Sequence, residues 1–453
     1  DLIAPEPFAI QNTVTWTPSE SRSLIHTESY YAQATADLWQ QLFLTAAARN
    51  DGFSTFGASQ RRHWFPKASA AWLVSNLFNR QQTGFLSFAK VRLAYGEAGK
   101  EPGVYQTIPT TLTVGGDFGG GWGDYLKATQ GGIGGLYTSR TLGNNSIIPE
   151  RTKEIEGGID IGLFDQRADL GFTVYDSKST DVILSAPLAP STGFTSQLEN
   201  AAEISNKGIE ATFNARPVTS SRFAWDFGIN YSRNRNRVLD LKGAEFVDKS
   251  AGTFAGVYGS VTKGSEVGVI RGEDFVRCGL GLSVGGVRID DTPGHCQGAA
   301  KGALYIGEDG YPVYDETDRI IANPNPRWTG SFRTAVTMFQ KLTISALVDR
   351  KSGGDVWNGT KGALYFFGTH KDTELRDENR TFGTDYMPAR PGASGVVAGP
   401  GAGMAVPISF GSWYAGNIGS GFTGPSAQFI EDGSYTKLRE VSVSYTFNVS
   451  SLK

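Results

Sequence analysis

Residues 209–231 read IEATFNARPVTSSRFAWDFGINY, and this stretch decides the fold because two runs of strict alternation face each other across a short connection. In the first, Ile209, Ala211, Phe213 and Ala215 share one face, while Gly208, Glu210, Thr212 and Asn214 share the other. In the second, Phe223, Trp225, Phe227, Ile229 and Tyr231 alternate with Ala224, Asp226, Gly228, Asn230 and Ser232. A period of two is that of a β-strand, so the stretch predicts a hairpin. Opposite the aromatic and aliphatic band stand Gly, Asn, Ser and acids with a single Thr and no Lys, rather than the Lys-, Glu- and Thr-rich face of a solvated sheet. That pairing of faces fits a transmembrane barrel strand. Taken alone it also fits a soluble all-β domain.

Outward from the hairpin the pattern repeats. About eleven strands are predicted: 22–36 and 39–50, joined at Asp37; 64–76; 87–97; 152–163; 168–178; the opening hairpin; 328–338 and 341–350, turning at Phe339-Gln340; and 434–447. Short connections at 37, 77–86, 164–167, 216–221 and 339–340 alternate with longer ones at 98–150, 179–200, 238–324 and 351–427. Tight turns at one end and long loops at the other are the topology of an outer-membrane barrel, whereas a propeller or solenoid repeats one connection length. Trp64, Phe65, Tyr445 and Phe447 near strand ends fit an interfacial aromatic girdle. The expected fold is all-β, a transmembrane antiparallel β-barrel with long extracellular loops.

Composition agrees. The 453 residues include 58 Gly and 12% aromatics but only 2 Cys and 3 Met, which suits strands that hide apolar residues among polar ones. No apolar run approaches the length of a membrane-spanning helix. A net charge of -3 with no concentrated basic run gives no reason to expect nucleic acid as a partner. The sequence opens at Asp1 without a visible export signal, from which truncation or processing is expected.

Catalytic patterns are not found. The four histidines, His26, His63, His295 and His370, stand at unrelated positions, and neither H-E-x-x-H nor G-x-S-x-G occurs. An enzyme is not expected, and no cofactor is implied. The acidic run from Glu308 to Asp318 has hard oxygen ligands but not the EF-hand spacing, so a solvated turn competes with calcium binding. Cys278, His295 and Cys296 lack a fourth zinc ligand. The two cysteines either bridge a Gly-rich loop or stay as free thiols. Trp122, Tyr125, Trp357, Tyr365, Phe366, Phe367, Trp413 and Tyr414 lie in the long loops, where flat rings either stack on cargo or pack loop against loop.

Several blocks, in order, resemble the SusC/RagA group of TonB-dependent outer-membrane transporters. Arg49-Asn50-Asp51-Gly52 through Gly57, followed by Trp64-Phe65-Pro66, is similar to that family's R-x-D-G-S-S-x-F-G and F-P-S. Glu150 to Glu154 with Gly158-Ile159-Asp160, then Asn206-Lys207-Gly208-Ile209-Glu210, Gly268 to Gly272, Gly310-Tyr311-Pro312, Asn323 to Trp328, Gly353 to Gly359, and Phe429 to Tyr435 with Lys437-Leu438-Arg439 complete the match. The resemblance implies a barrel of about twenty-two strands, to which this chain contributes the C-terminal portion. A carboxypeptidase-like domain, TonB box and plug are then expected before Asp1, and about three strands after Lys453. It also implies TonB-energised import of a glycan or peptide, a SusD-like lipoprotein lid as partner, and outer-membrane lipid around the belt. Glu156, Asp160, Glu210, Asp226 and Glu440 are expected to line the lumen, facing plug or cargo. The rivals are a lidless siderophore-type receptor, a passive porin, and a soluble all-β carbohydrate-binding module.

Overall fold

The computed structural model describes residues 23–77, 85–108, 141–251, 256–374, 378–386 and 396–447, with short strand pieces between 112 and 138. Eight long strands come first: β1 (Thr27–Leu38), β2 (Leu42–Phe53), β3 (Arg62–Leu73), β4 (Leu86–Lys100), β5 (Glu150–Leu163), β6 (Ala168–Pro187), β7 (Ser196–Thr219) and β8 (Phe223–Asp240). An insertion then carries β9 (Phe246–Ala251), β10 (Tyr258–Thr262), β11 (Val269–Phe275) and β12 (Tyr314–Ala322). Next come β13 (Pro326–Met338) and β14 (Leu342–Gly353), a second insertion with helix α1 (Gly359–Phe366), β15 (Glu378–Thr381) and β16 (Ala405–Ile408), and finally β17 (Tyr435–Tyr445).

The long strands form one antiparallel wall in the order β1 to β8, β13, β14, β17, so each pairs with its neighbours along the chain once the insertions are set aside. The opening hairpin is β7–β8, with Ala215 opposite Phe227, Phe213 opposite Ile229 and Ala211 opposite Tyr231. Cross-strand partners share a face, so one outer row runs through Ala89, Ile161, Leu170, Phe213, Ile229, Phe332, Val348 and Leu438. A register shift in β17 leaves Arg439 as the extra residue and keeps both Leu438 and Val441 on that outer face.

Three expected connections differ. The first hairpin turns at Trp39–Gln41, not at Asp37, and Asp37 pairs with Phe43 inside the ladder. The segment 179–200 is mostly strand: Val182 pairs with Ala202 and Leu184 with Glu199, and Leu184, Ala201 and Ala202 enter a buried cluster with Val238, Leu241, Val247 and Val261. Apolar contacts from the loop sheet thus hold these strands above the membrane belt. The strand expected at 64–76 ends at Leu73 and passes into a single 3-10 turn, Val74–Leu77.

The tight turns share one chemistry. Gln41 donates to the Leu38 carbonyl, Arg167 to Phe164 and Lys341 to Met338, and the central residues Trp39-Gln40, Asp165-Gln166 and Phe339-Gln340 all have positive φ. These are type I′ turns, whose twist matches that of the strands. Trp39, Phe164 and Phe339 are exposed there.

At the opposite end the insertions fold together. Strands β9 to β12 form a four-stranded sheet, in which buried Arg271 pairs with Asp248 and lies 3.4 Å from the Phe246 ring centre. Leu304-Tyr305 pairs with Val397-Ala398, which joins the first insertion to the second. Their shared core contains Phe275, Leu304, Ile306, Tyr365, Phe382, Val406, Ile408, Trp413, Tyr414 and Phe429. Cys278 and Cys296 are bridged, with Cα atoms 5.5 Å apart, beside Ile289 and Tyr305. The amides of Gly279 and Gly281 donate to Asp290 at 2.6 Å each and hold its carboxyl below the usual range.

Two predictions follow from the faces and the loop. Phe227→Arg, on the outer face, lowers unfolding stability by about 2–4 kcal/mol near the midplane, whereas Asn230→Arg, on the inner face, costs less; equal costs in vesicle refolding refute the register. Because the carboxyl of Asp290 is depressed by folding, its stabilisation is present above the unfolded value of about 3.9 and is lost as pH falls through the lowered folded value. Access of a small reductant to the Cys278–Cys296 bridge is therefore constant from neutral pH to about 4 and rises below it; Asp290→Asn removes this acid dependence.

Candidate functional site

The inner face of the wall carries the polar members of the alternation. Arg92 on β4 donates to Glu156 at 2.9 Å, to Asp160 at 3.1 Å and to the Thr173 hydroxyl at 2.9 Å. Lys90 completes the group, 2.8 Å from Asp160. Each side chain is about a third exposed, so the pairs organise the surface more than they stabilise it. Glu210 borders a groove of about 370 Å³ lined also by Thr212, Asn230, Ser232, Ser331 and Asp349, a surface of hydroxyls, amides and carboxylates. Asp226 lies toward the tight turns, 2.5 Å from Arg216, beside a second hollow of about 620 Å³ that includes Arg333. Glu440 opposes Leu347 on the same inner face. The five acids expected to line the lumen therefore share one face. Lys90 pairs with Asp160, Arg92 with Glu156 and Asp160, and Arg216 with Asp226; none is among the expected site residues, although Lys90 and Arg92 stand on the polar side of the alternation with Ala89, Val91 and Leu93.

The block Asn206 to Glu210 has a steric reason. Tyr175 on β6 lies opposite Gly208, and a Cβ at Gly208 would sit 2.3 Å from the Tyr175 ring. The ring lies on bare backbone between Glu156, its partner across β5, and Glu210.

The loop aromatics divide. Trp122 and the side chain of Tyr125 lie outside the described residues. Trp413 and Tyr414 are fully buried in the shared loop core, which corrects the expectation that they meet cargo: their rings are spent on packing. Trp413 donates from Nε1 to the Tyr386 hydroxyl at 3.0 Å, and Tyr414 to the Asp372 carbonyl at 3.2 Å. Tyr365 is also buried and stacks on His370 at 5.0 Å. Burial, then its hydrogen bond to Asp372, push its hydroxyl well above the ordinary value. Trp357 is part-buried between two clusters. Phe366 differs, forming an edge-to-face group with Phe367 and Phe422 at 4.9–6.0 Å, and Phe367 is 58% exposed. Within the acidic run two carboxylates make local bonds: Asp309 accepts from the Tyr311 amide and Asp315 from the Thr317 amide and Arg319. No metal-binding cluster occurs among the described residues.

A paired wall with an apolar outer face, a charged inner face, tight turns at one end and folded loops at the other defines part of an outer-membrane β-barrel. Residues 5–452 match the family described as TonB dependent receptor-like, beta-barrel, and the chain belongs to that family. It is similar to TonB-dependent receptor P26 of Formosa agariphila, 25% identical over 100% of this chain and 43% of the relative. It is also similar to receptor P3 of the same organism, 26% identical over 77% and 34%, and to TonB-dependent receptor SusC of Bacteroides thetaiotaomicron, 27% identical over 49% and 21%. The chain thus spans less than half the length of these relatives. Among solved structures, the RagAB peptide importer in its closed-closed state has the same fold, with TM-score 0.64 and 18% identity, covering 94% of this chain and 42% of that one.

The Tyr175 contact yields a double-mutant test. Gly208→Ala costs roughly 1–3 kcal/mol by overpacking, and in a Tyr175→Ala background the same change is nearly free. Equal costs in both backgrounds, read by denaturant unfolding, refute the contact.

Proposed function

We propose that this chain is the wall and loop cap of an active importer that takes up a nutrient of the glycan or peptide class, is energised through TonB and works with a SusD-like surface lipoprotein. The observation that carries the reading is the cap: two long insertions joined by one buried core above a polar, charged inner face. A folded cap at the loop end of a wall with a hydrophilic inner face suits capture followed by controlled passage, in which cargo binds more tightly to a closed than to an open state. The ordered sequence blocks shared with the SusC/RagA group support the lipoprotein partner. The fold shared with a peptide importer solved in closed-closed and open-open states supports capture by closure. On this reading the carboxylates and hydroxyls of the inner face meet a plug or passing cargo, and Phe366, with Phe367 and Phe422, offers apolar ring surface at the cap.

Uptake of labelled oligosaccharides and oligopeptides by cells bearing the intact transporter tests the proposal. One of the two classes enters, its uptake falls to background when TonB is deleted, and a surface lipoprotein co-purifies in mild detergent. Uptake that persists without TonB replaces the importer with a passive porin. TonB-dependent uptake by a transporter that purifies alone replaces it with a lidless receptor.

A further inference from the structure

The outer face does not end where its apolar band ends. On β8 the same alternation that sends Trp225, Phe227, Ile229 and Tyr231 outward continues through Arg233, Arg235 and Arg237. From Phe223 to Tyr231 the strand covers about 26 Å, close to the height of a barrel's apolar band once tilt is allowed for. Tyr231 stacks on Trp328 at 5.8 Å, an aromatic pair of the kind that marks the boundary between hydrocarbon and headgroups. The arginines therefore begin at headgroup height, on the side of the long loops, which is the outer leaflet.

The neighbouring strands add charge at the same level. Lys207 opposes Arg235 and bridges Asp176 at 2.7 Å, and Lys178 bridges Glu203 at 2.7 Å. Arg235 itself is answered by Glu266 at 3.1 Å. Arg233 has no ion pair or side-chain hydrogen bond among the described residues, and it is exposed. Arg237 keeps one contact, from Nε to the Gly264 carbonyl at 3.1 Å. Five cations thus face three anions, and the two cations without a carboxylate lie on one strand, two turns of the pleat apart.

From this we infer that Arg233 and Arg237 bind a phosphate-bearing lipid headgroup of the outer leaflet. A guanidinium forks onto two phosphate oxygens. The lipid's acyl chains run down the band below, so phosphate contact and chain burial reinforce each other in a way open only to an amphiphile. This site lies on the opposite face of the wall from the import path, and it depends on the membrane placement rather than on what is transported.

The test uses the intact transporter in mild detergent, with native mass spectrometry after addition of a phosphorylated glycolipid, the same lipid without its phosphates, or inorganic phosphate alone. The wild type retains the phosphorylated lipid, and Arg233→Gln/Arg237→Gln lowers retention roughly tenfold to thirtyfold, while Lys341→Gln at the other end of the wall does not. Arg233→Gln alone, which removes no ion pair or side-chain hydrogen bond among the described residues, gives a partial loss and covers the case in which the double variant fails to fold. Equal retention by wild type and variants overturns the inference. So does equal retention of the dephosphorylated lipid, and so does binding of inorganic phosphate as tight as that of the lipid.

Discussion

Hydrocarbon offers no partner to a peptide group, and everything in this wall follows from that. Each N–H and C=O in the belt must be bonded to a neighbouring strand, which forces long strands, continuous ladders and turns that reverse the chain without leaving it unpaired. The ladders join β1 to β17 strand by strand, with register shifts such as the one at Arg439 where an extra residue is taken up. The type I′ turns place residues other than glycine in the left-handed region at Trp39, Gln40, Phe339 and Gln340, at a cost of about 1 kcal/mol each. Strand twist is the return: an ordinary turn splays the pair.

The constraint relaxes at the loop end, and a different kind of order takes over. Above the belt the chain forms a core in the manner of a soluble protein, with Trp413, Tyr305, Tyr414 and Phe275 fully buried and a disulfide closing one insertion. The same residue types therefore mean opposite things at the two heights. Phe332 and Ile344 are each 41% exposed to the surroundings of the wall because those surroundings are apolar. Trp413 is covered by protein because water surrounds the folded loops.

That difference explains what was legible in the sequence. Period-two alternation fixes the face of a residue and does so independently of distant contacts, so Phe227, Asn230 and the inner acids could be placed from the hairpin outward. The ends of β6 and β7 could not, because Leu184 and Ala201 are held there by Val247 and Val261, more than forty residues along the chain. Nor could the fate of the loop rings: an aromatic in a Gly-rich segment reads the same whether it packs against another loop or waits for a ligand, and only the pairing of Leu304 with Val397 decides it. Gly208 stood out as part of a sequence block, yet its reason, the ring of Tyr175, lies on another strand.

The second insertion leaves β14 at Gly353-Gly354 and returns to β17 past Gly433, where a Cβ would lie 1.9 Å from the Gly354 carbonyl oxygen. The two connections are in backbone contact, so the gap that the insertion must span is set by the wall and is as small as a gap between chains can be. Whatever is built between them, long or short, imposes no displacement on the strands below. The wall is in effect a fixed socket, and the cap is a fitting that can be exchanged for another without recutting the thread.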